Sequence, residues 1–435
     1  MTTRLRVVRS FVLLCLAVLW SGACETATPP APAGIAGTGG INRPEHRDKP
    51  YLILLSFDGF RPQYPDRFDL PNFTRALRRG ARAQAMVPVF PTLTFPNHYS
   101  LVTGLSAERH GIVANSFYDP GRNATYSFRD DQSVTDGTWY RGEPIWVTAE
   151  SQGMVAACFF WPGSEAAIKG VRPTLWNKYD AGVTNDARVS TVLEWLRLPA
   201  DRRPHIITLY FSELDGASHQ NALDSGAIAR AAQSLDRSLG ALMDGVDALP
   251  IGGQVYLLLT SDHGMAETSA SRTIMLGSLV DTNEVRVGFS GPIASLHVPG
   301  GQPAAERVRD RINARLRHGR GYLRTELPER YRYRSDPRAG DVVIVMDESW
   351  MVVNTPPLTG VIRKRWGMHG WDPDLPSMQA LFAIVGPGIP AGATIPVVEN
   401  IDVYPLMTEL LGLRAAEGID GRAGHIRALL SAAQR

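Results

Sequence analysis

Three short clusters of acidic and histidine residues, each just after an apolar run, carry the chemistry most visible in this chain. They are Ser56-Phe57-Asp58-Gly59, the stretch from Ser212 to His219 with Asp215 and His219, and Ser261-Asp262-His263-Gly264. Asp and His offer oxygen and nitrogen donors for zinc, and a catalytic zinc takes three protein donors while leaving a position for substrate. Asp58, Asp215, His219, Asp262 and His263 supply five donors. His369 supplies a sixth in Trp366-Gly367-Met368-His369-Gly370-Trp371-Asp372, where the flanking glycines let the backbone turn sharply. Six donors divide into two sites of three, which is a two-zinc centre. Taken singly, each pair reads as a helix cap or a surface pair. Their recurrence at successive strand ends gives them weight.

A nucleophile is offered by Pro91-Thr92-Leu93-Thr94-Phe95-Pro96-Asn97-His98-Tyr99. No Ser-His-Asp set is evident to deprotonate an alcohol, but a metal does so by stabilising the alkoxide. A helix expected to start near Asn97 would also turn backbone N–H groups toward a phosphate. The plainer role for Thr94 is to cap that helix. The metal donors decide for the nucleophile. His98, His110 and His205 read as packed residues outside the site, and Arg363-Lys364-Arg365 as a solvated basic face.

The elements that must position these groups follow from hydrophobic patterning. Tyr51 to Phe57, His205 to Phe211, Val255 to Thr260 and Ala380 to Val385 are apolar throughout, the signature of parallel strands buried on both faces. Ile228, Leu235, Leu239, Leu242, Val246 and Leu249 trace one face of an amphipathic helix. Pro71 and Gly80 bracket a short helix, and residues 304–316 and 404–411 read as two more. Strands alternating with helices predict an α/β fold: a central, mostly parallel sheet with helices on both faces and a smaller inserted cap region. Ligands of open α/β sheets bind beyond the carboxyl ends of the strands, where the three clusters fall.

Read together and in order, Ser56 to Gly59, Pro91 to Tyr99, Gly111-Ile112-Val113-Ala114-Asn115, Phe160-Trp161-Pro162-Gly163-Ser164, Ser261 to Gly264 and Gly367 to Gly370 resemble the nucleotide pyrophosphatase/phosphodiesterase family of the alkaline phosphatase superfamily. The resemblance spans nearly all of the chain from Tyr51 to Leu430. It implies an alkaline-phosphatase-like fold and two Zn2+ per chain. One zinc is implied to be held by Asp58, Asp262, His263 and the nucleophile Thr94, and the other by Asp215, His219 and His369. It further implies that Asn115 and the Phe95 backbone N–H bind a phosphate oxygen, and that Phe95 and Tyr179 sandwich a base. The expected substrate is a small nucleotide or other phosphodiester, cleaved through a phosphothreonine. A diesterase of glycerophosphodiester or lipid-like substrates and a phosphomonoesterase on the same scaffold stay open. A sulfatase does not, because Thr94 cannot become a formylglycine. A binding protein without catalysis is disfavoured by the intact set of donors, nucleophile and Asn115.

Charged residues make up 20% of the chain and the net charge is +2, so no strong field selects a nucleic acid, and no protein partner is expected. Arg4, Arg6 and Arg9, the apolar run Phe11 to Trp20, and Ser21-Gly22-Ala23 form a secretory signal pattern over residues 1–23. Cys24 follows directly and resembles the lipidated cysteine of a bacterial lipoprotein, although Ser21 stands where such boxes carry an aliphatic residue. Release into the periplasm and a membrane tether through Cys24 both stay open. Residues 24–48, rich in Pro, Ala and Gly, read as a tether, and 49–430 as the catalytic domain. Cys158 stands alone in the folded part, so the fold is expected without an internal disulfide.

Overall fold

The structure is a computed structural model that describes residues 40–355, 365–424 and 426–427. The signal pattern, Cys24, the tether up to residue 39, and Arg363 and Lys364 lie outside the described residues.

The run Tyr51–Phe57 forms the centre of an eight-stranded sheet. Across the sheet the strands are Ala393–Ile395, Ala81–Ala83, Phe382–Val385, Val255–Thr260, Tyr51–Phe57, Ile206–Phe211, Ala156–Phe159 and Leu175–Asn177. All seven residues of the central strand are buried, as a strand covered on both faces requires. One group of helices, Pro71–Arg79, Asn185–Leu196, Glu213–Gln220 and Gly226–Asp247, packs together. A second group, Thr94–Thr103, Ile145–Ser151 and Val403–Leu411, packs around the central strand through its last member. The long helix buries Ile228, Leu235, Leu239, Leu242 and Val246, the face its spacing predicts. It also supplies a cap in trans. Asp236 accepts from the backbone N–H groups of Asn72 and Phe73 and from the Asn72 amide, which satisfies the first turn of Pro71–Arg79. Asn72 is thereby committed to packing.

Seven of the eight strands run the same way. Phe382–Val385 does not: it lies antiparallel to both Val255–Thr260 and Ala81–Ala83. The expectation of four parallel strands is corrected at this one. A continuous apolar run encodes burial on two faces and carries no direction.

Between Thr260 and Phe382 the chain leaves the sheet and builds a second core. Its base is an antiparallel sheet ordered Arg286–Phe289, Ile293–His297, Val342–Met346 and Gly319–Leu323, with the helix Gly301–Arg315 against its last strand. Ala294, Leu296, Val308, Ile312, Val342, Ile344 and Val352 fill this core. Two small ribbons complete the inserted region. Ala266–Thr268 pairs antiparallel with Trp366–Met368, and Thr273–Met275 pairs parallel with Met351–Val353.

The expected tether meets the described residues at its end, and there it is pinned. Asn42 is wholly buried, its amide donating to the carbonyls of Ala200 and Arg203 and its Oδ1 accepting from Val155 N–H. The packed body therefore begins by Asn42, ahead of residue 49. Cys158 is buried and unbonded to another cysteine. No helix among the described residues is long and apolar enough to cross a membrane.

Candidate active site

The central strand ends at Phe57, and its two neighbours, Ile206–Phe211 and Val255–Thr260, flank it from opposite sides. That is the switch point of an open α/β sheet, and Asp58 sits on it. Asp262 and His263 follow the strand on one side. On the other side, Asp215 and His219 lie four residues apart on the helix Glu213–Gln220, a spacing that puts both on one helical face. His369 arrives from the inserted region, directly after the strand Trp366–Met368. The structure brings all six together.

Their donor atoms form two tight groups. Asp215 Oδ1 lies 3.2 Å from His219 Nε2 and 3.6 Å from His369 Nε2, and the two imidazole nitrogens are 3.2 Å apart. His263 Nε2 lies 3.0 Å from Asp262 Oδ2, 3.5 Å from Asp58 Oδ1 and 3.4 Å from Thr94 Oγ1. Donors around a tetrahedral zinc with bonds of about 2.0–2.1 Å stand about 3.3 Å from one another. The observed spacings fit that edge. A second observation agrees: Asp58 Oδ1, Asp215 Oδ1 and Asp262 Oδ2 are buried with no hydrogen-bond donor on them. Buried oxygens left in that state are costly unless a cation takes them.

The histidine rings are set for this task. His263 Nδ1 bonds the Gly264 carbonyl at 2.9 Å, His369 Nδ1 the Thr92 carbonyl at 2.8 Å, and His219 Nδ1 the Gly367 carbonyl at 3.1 Å. A carbonyl can only accept, so each Nδ1 carries a proton, and in the neutral ring each Nε2 is left with a lone pair toward the centre. His98 differs. Its Nδ1 faces the Thr94 carbonyl at 2.9 Å and Asp262 Oδ2 at 3.3 Å, while its Nε2 meets Ser56 Oγ at 2.7 Å. Both of its nitrogens are committed, so it braces the centre from below.

Electrostatics point the same way. Burial, reinforced by the charges of Asp262 and Asp215, holds the Asp58 carboxyl well above the usual carboxylate range. Burial and the facing His263 push His369 down to about 3. Among the described residues no lysine or arginine pairs with Asp58, Asp215 or Asp262; their ionic neighbours are histidines. Crowded carboxylates whose only charged partners are imidazoles make a site for a divalent cation.

Thr94 opens the helix Thr94–Thr103, three residues earlier than expected, with Leu93 in the capping position. Its hydroxyl makes no cap bond and turns toward His263, so the capping role does not apply. The approach to this helix is held by Asn97, whose buried amide bonds the carbonyls of Val89, Pro91 and Leu93 and accepts from Val89 N–H. Thr92 ties the same loop to the His369 segment. Its hydroxyl donates to the Trp371 carbonyl and accepts from Gly370 N–H.

Around the donors opens a cleft of about 1720 Å³, lined by Asp58, Thr94, Phe95, Asn115, Tyr179, Asp215, His219 and His369 among others. Tyr179 is 45% exposed and no core residue. Phe128, 37% exposed beside Phe95 at a ring distance of 5.5 Å, adds an aromatic that the sequence had not singled out. The Phe95 N–H donates to Asn115 Oδ1 at 2.9 Å. That N–H is therefore taken, so the expectation that it binds a phosphate oxygen does not match this arrangement, and Asn115 is left its amide N–H2 as a donor. Lys178 is paired with Asp131 at 2.5 Å. Arg365 pairs with Asp224 and Glu267. Sequence reasoning also missed Tyr210, whose hydroxyl donates to Asp58 Oδ2 at 2.6 Å. Nothing in the local pattern marks it: Tyr210 is one residue of a wholly buried strand, and its partner lies 152 positions away.

A sequence model of the type I phosphodiesterase / nucleotide pyrophosphatase family matches residues 52–372. Venom phosphodiesterase CdcPDE of Crotalus durissus collilineatus is 37% identical over 404 residues, covering 91% of this chain and 48% of its own length. Ectonucleotide pyrophosphatase/phosphodiesterase family member 1 of Homo sapiens is 36% identical over 417 residues, covering 93% of this chain and 43% of its own. The chain thus spans about half the length of these relatives. Murine ectonucleotide pyrophosphatase / phosphodiesterase 5 superposes with a TM-score of 0.81 at 30% identity, over 87% of this chain and 99% of that one. An inactive threonine-to-alanine form of the same murine protein, in complex with AMP, superposes equally well, at 0.81 and 29% identity. This chain belongs to the type I phosphodiesterase / nucleotide pyrophosphatase family.

Proposed function

We propose that this chain hydrolyses phosphodiester and pyrophosphate bonds of nucleotides, with Thr94 as nucleophile and two zinc ions as cofactors. Asp58, Asp262 and His263 hold one zinc beside Thr94, and Asp215, His219 and His369 hold the other. Other triads of nearby donors exist, Asp58 with His98 and Asp262, and Asp215 with His263 and His369. His98 is spent on Ser56 and the Thr94 carbonyl, and the His263 and His369 rings are stacked 3.6 Å apart, which by itself brings their nitrogens close. Bound zinc supplies Lewis acidity that favours the threonine alkoxide and stabilises the leaving oxygen.

The chain's own residues do the rest. The Asn97 and Thr92 ties hold Thr94 Oγ1 at the floor of the cleft. That oxygen gives up its proton and attacks phosphorus, the bond to the leaving oxygen breaks and the departing group takes up a proton. Water then hydrolyses the phosphothreonine to free the threonine hydroxyl and the monoester. Asn115 presents an amide donor to a non-bridging oxygen, where negative charge grows. Phe95 and Tyr179 offer aromatic faces to a base, which favours nucleotides without choosing among them. The single observation that carries this reading is the position of Thr94 Oγ1, 3.4 Å from His263 Nε2 at the start of a helix and open to the cleft. The inactive threonine variant of the murine protein that binds AMP supports it.

The test is hydrolysis of ATP by the zinc-loaded chain, with phosphorus products identified and Thr94→Ala alongside. AMP and pyrophosphate from the native chain, absent in a variant of unchanged metal content, are expected. ADP and orthophosphate would replace the diesterase reading with a monoesterase, and a Thr94→Ala variant of native rate would remove the nucleophile.

A further inference from the structure

Phe95, Phe128 and Tyr179 line one part of the cleft, its aromatic arm, where under the proposed reaction the part of the substrate retained on Thr94 would lie. At about 1720 Å³ the whole cleft exceeds the several hundred Å³ that one drug-sized ligand fills, which leaves room for the part that departs. If Thr94 attacks from beside His263, the group opposite departs past Asp215, His219 and His369.

The wall on that side is built by the two ribbons of the inserted region. Thr273 is in register with Met351 and Met275 with Val353, and alternation along each strand sends all four side chains to one face, the cleft. Trp366 and Met368, on the strand that runs into His369, line the cleft as well. Gly367 between them faces the other way, toward Leu223 and Met265. Five of these six side chains are apolar, and three are methionines, whose flexible thioethers adapt to varied shapes. Most are only half-buried, so the surface is available. Among the described residues the cationic side chains that line the cleft are Arg129 and Lys178, both on the aromatic arm, with Lys178 held by Asp131.

We infer that this wall is a leaving-group subsite that favours an apolar alcohol, alkyl or aryl. The inference rests on the proposed diesterase reaction and names the substrate class on its departing side.

The experiment uses the full zinc-loaded chain and two aryl esters of thymidine 5′-phosphate. Their phenols are matched in acidity, one bearing an alkyl substituent and the other a sulfonate, so that intrinsic reactivity cancels. Burial of an alkyl group of a few carbons corresponds to about tenfold or more in kcat/KM for the alkyl ester. Met275→Lys and, separately, Val353→Lys are expected to bring that ratio to about three or below. Inhibition by the free alkyl phenol gives a second measure on the native chain, expected to be at least about tenfold stronger than by its sulfonated counterpart. A native ratio near one, or a ratio unchanged in both variants, overturns the leaving-group assignment while the hydrolase reading stands. If the native chain cleaves neither ester, the hydrolase reading falls and this inference falls with it.

Discussion

Removing the Tyr210 hydroxyl is the sharpest test of how the donor set is held. Tyr210 donates to Asp58 Oδ2 at 2.6 Å, with Asp58 buried at the end of the central strand. Burial, followed by the charge of Asp58, raises the phenol well above its ordinary range, so it remains a donor at every working pH. The bond fixes one carboxylate oxygen and leaves Oδ1 aimed at His263 Nε2, 3.5 Å away. Tyr210→Phe keeps the ring that packs edge-on against His98 at 5.1 Å and deletes only the donor. A hydrogen bond to a charged group is worth about 1.5–3 kcal/mol, and loss of a ligand's supporting partner lowers metal affinity about 10–100-fold. We expect Tyr210→Phe to lose zinc to a competing chelator at a concentration about 10–100-fold below that for the native chain. With zinc in excess, hydrolysis should recover to within a few-fold. Coincident chelator titrations for the two proteins would refute the reasoning, because Asp58 would then be oriented without Tyr210.

Three further outcomes follow from other contacts. Tyr179→Ala should lower kcat/KM for a nucleotide ester by about 5–100-fold, the worth of one stacked base, and leave a simple aryl diester nearly unchanged; equal losses on both would remove the stacking role. Asp236→Ala strips the acceptor from two backbone N–H groups and the Asn72 amide, and should cost about 2–4 kcal/mol in urea unfolding, with Asp236→Asn milder. Acidification should destabilise the fold through His110, which burial pushes down to about 3. Its folded value lies below the unfolded value of about 6.5, so its contribution is complete above pH 6.5. Below that the unfolded chain takes the proton and stability falls by up to about 1.4 kcal/mol per unit toward pH 3. A His110→Gln chain should show a shallower acid limb; an identical limb would assign the loss to other groups.

The chemistry was more legible than its support. Asp58, Asp262 and His263 could be read because each follows an apolar strand, and strand ends define where α/β sheets bind ligands. Asp215 and His219 carried an i, i+4 spacing, and His369 its glycine flanks. Burial of the central strands was equally plain, but the reversed direction of Phe382–Val385 was not, since direction depends on where the chain re-enters the sheet. The short strands Ala156–Phe159, Leu175–Asn177 and Ala81–Ala83 are too brief to show a period. Tyr210, Thr92 and His98 act through hydrogen bonds to segments far away in sequence, Thr92 to residues 278 or more positions away for example. A contact of that kind leaves no mark in local pattern. Asn42 shows the converse: a polar, Pro/Gly-rich stretch reads as tether until one buried side-chain amide finds three backbone partners.

All three metal-facing histidines are locked through Nδ1 to main-chain carbonyls, those of Gly264, Thr92 and Gly367. A carbonyl belongs to the backbone, so no amino-acid replacement can delete it. Mutation can displace these acceptors only by moving the chain itself. The proton arrangement of the centre is thereby insulated from drift in the side chains that shape the cleft. On such a scaffold the pocket walls can be rewritten for a new substrate while the histidine tautomers stay as they were.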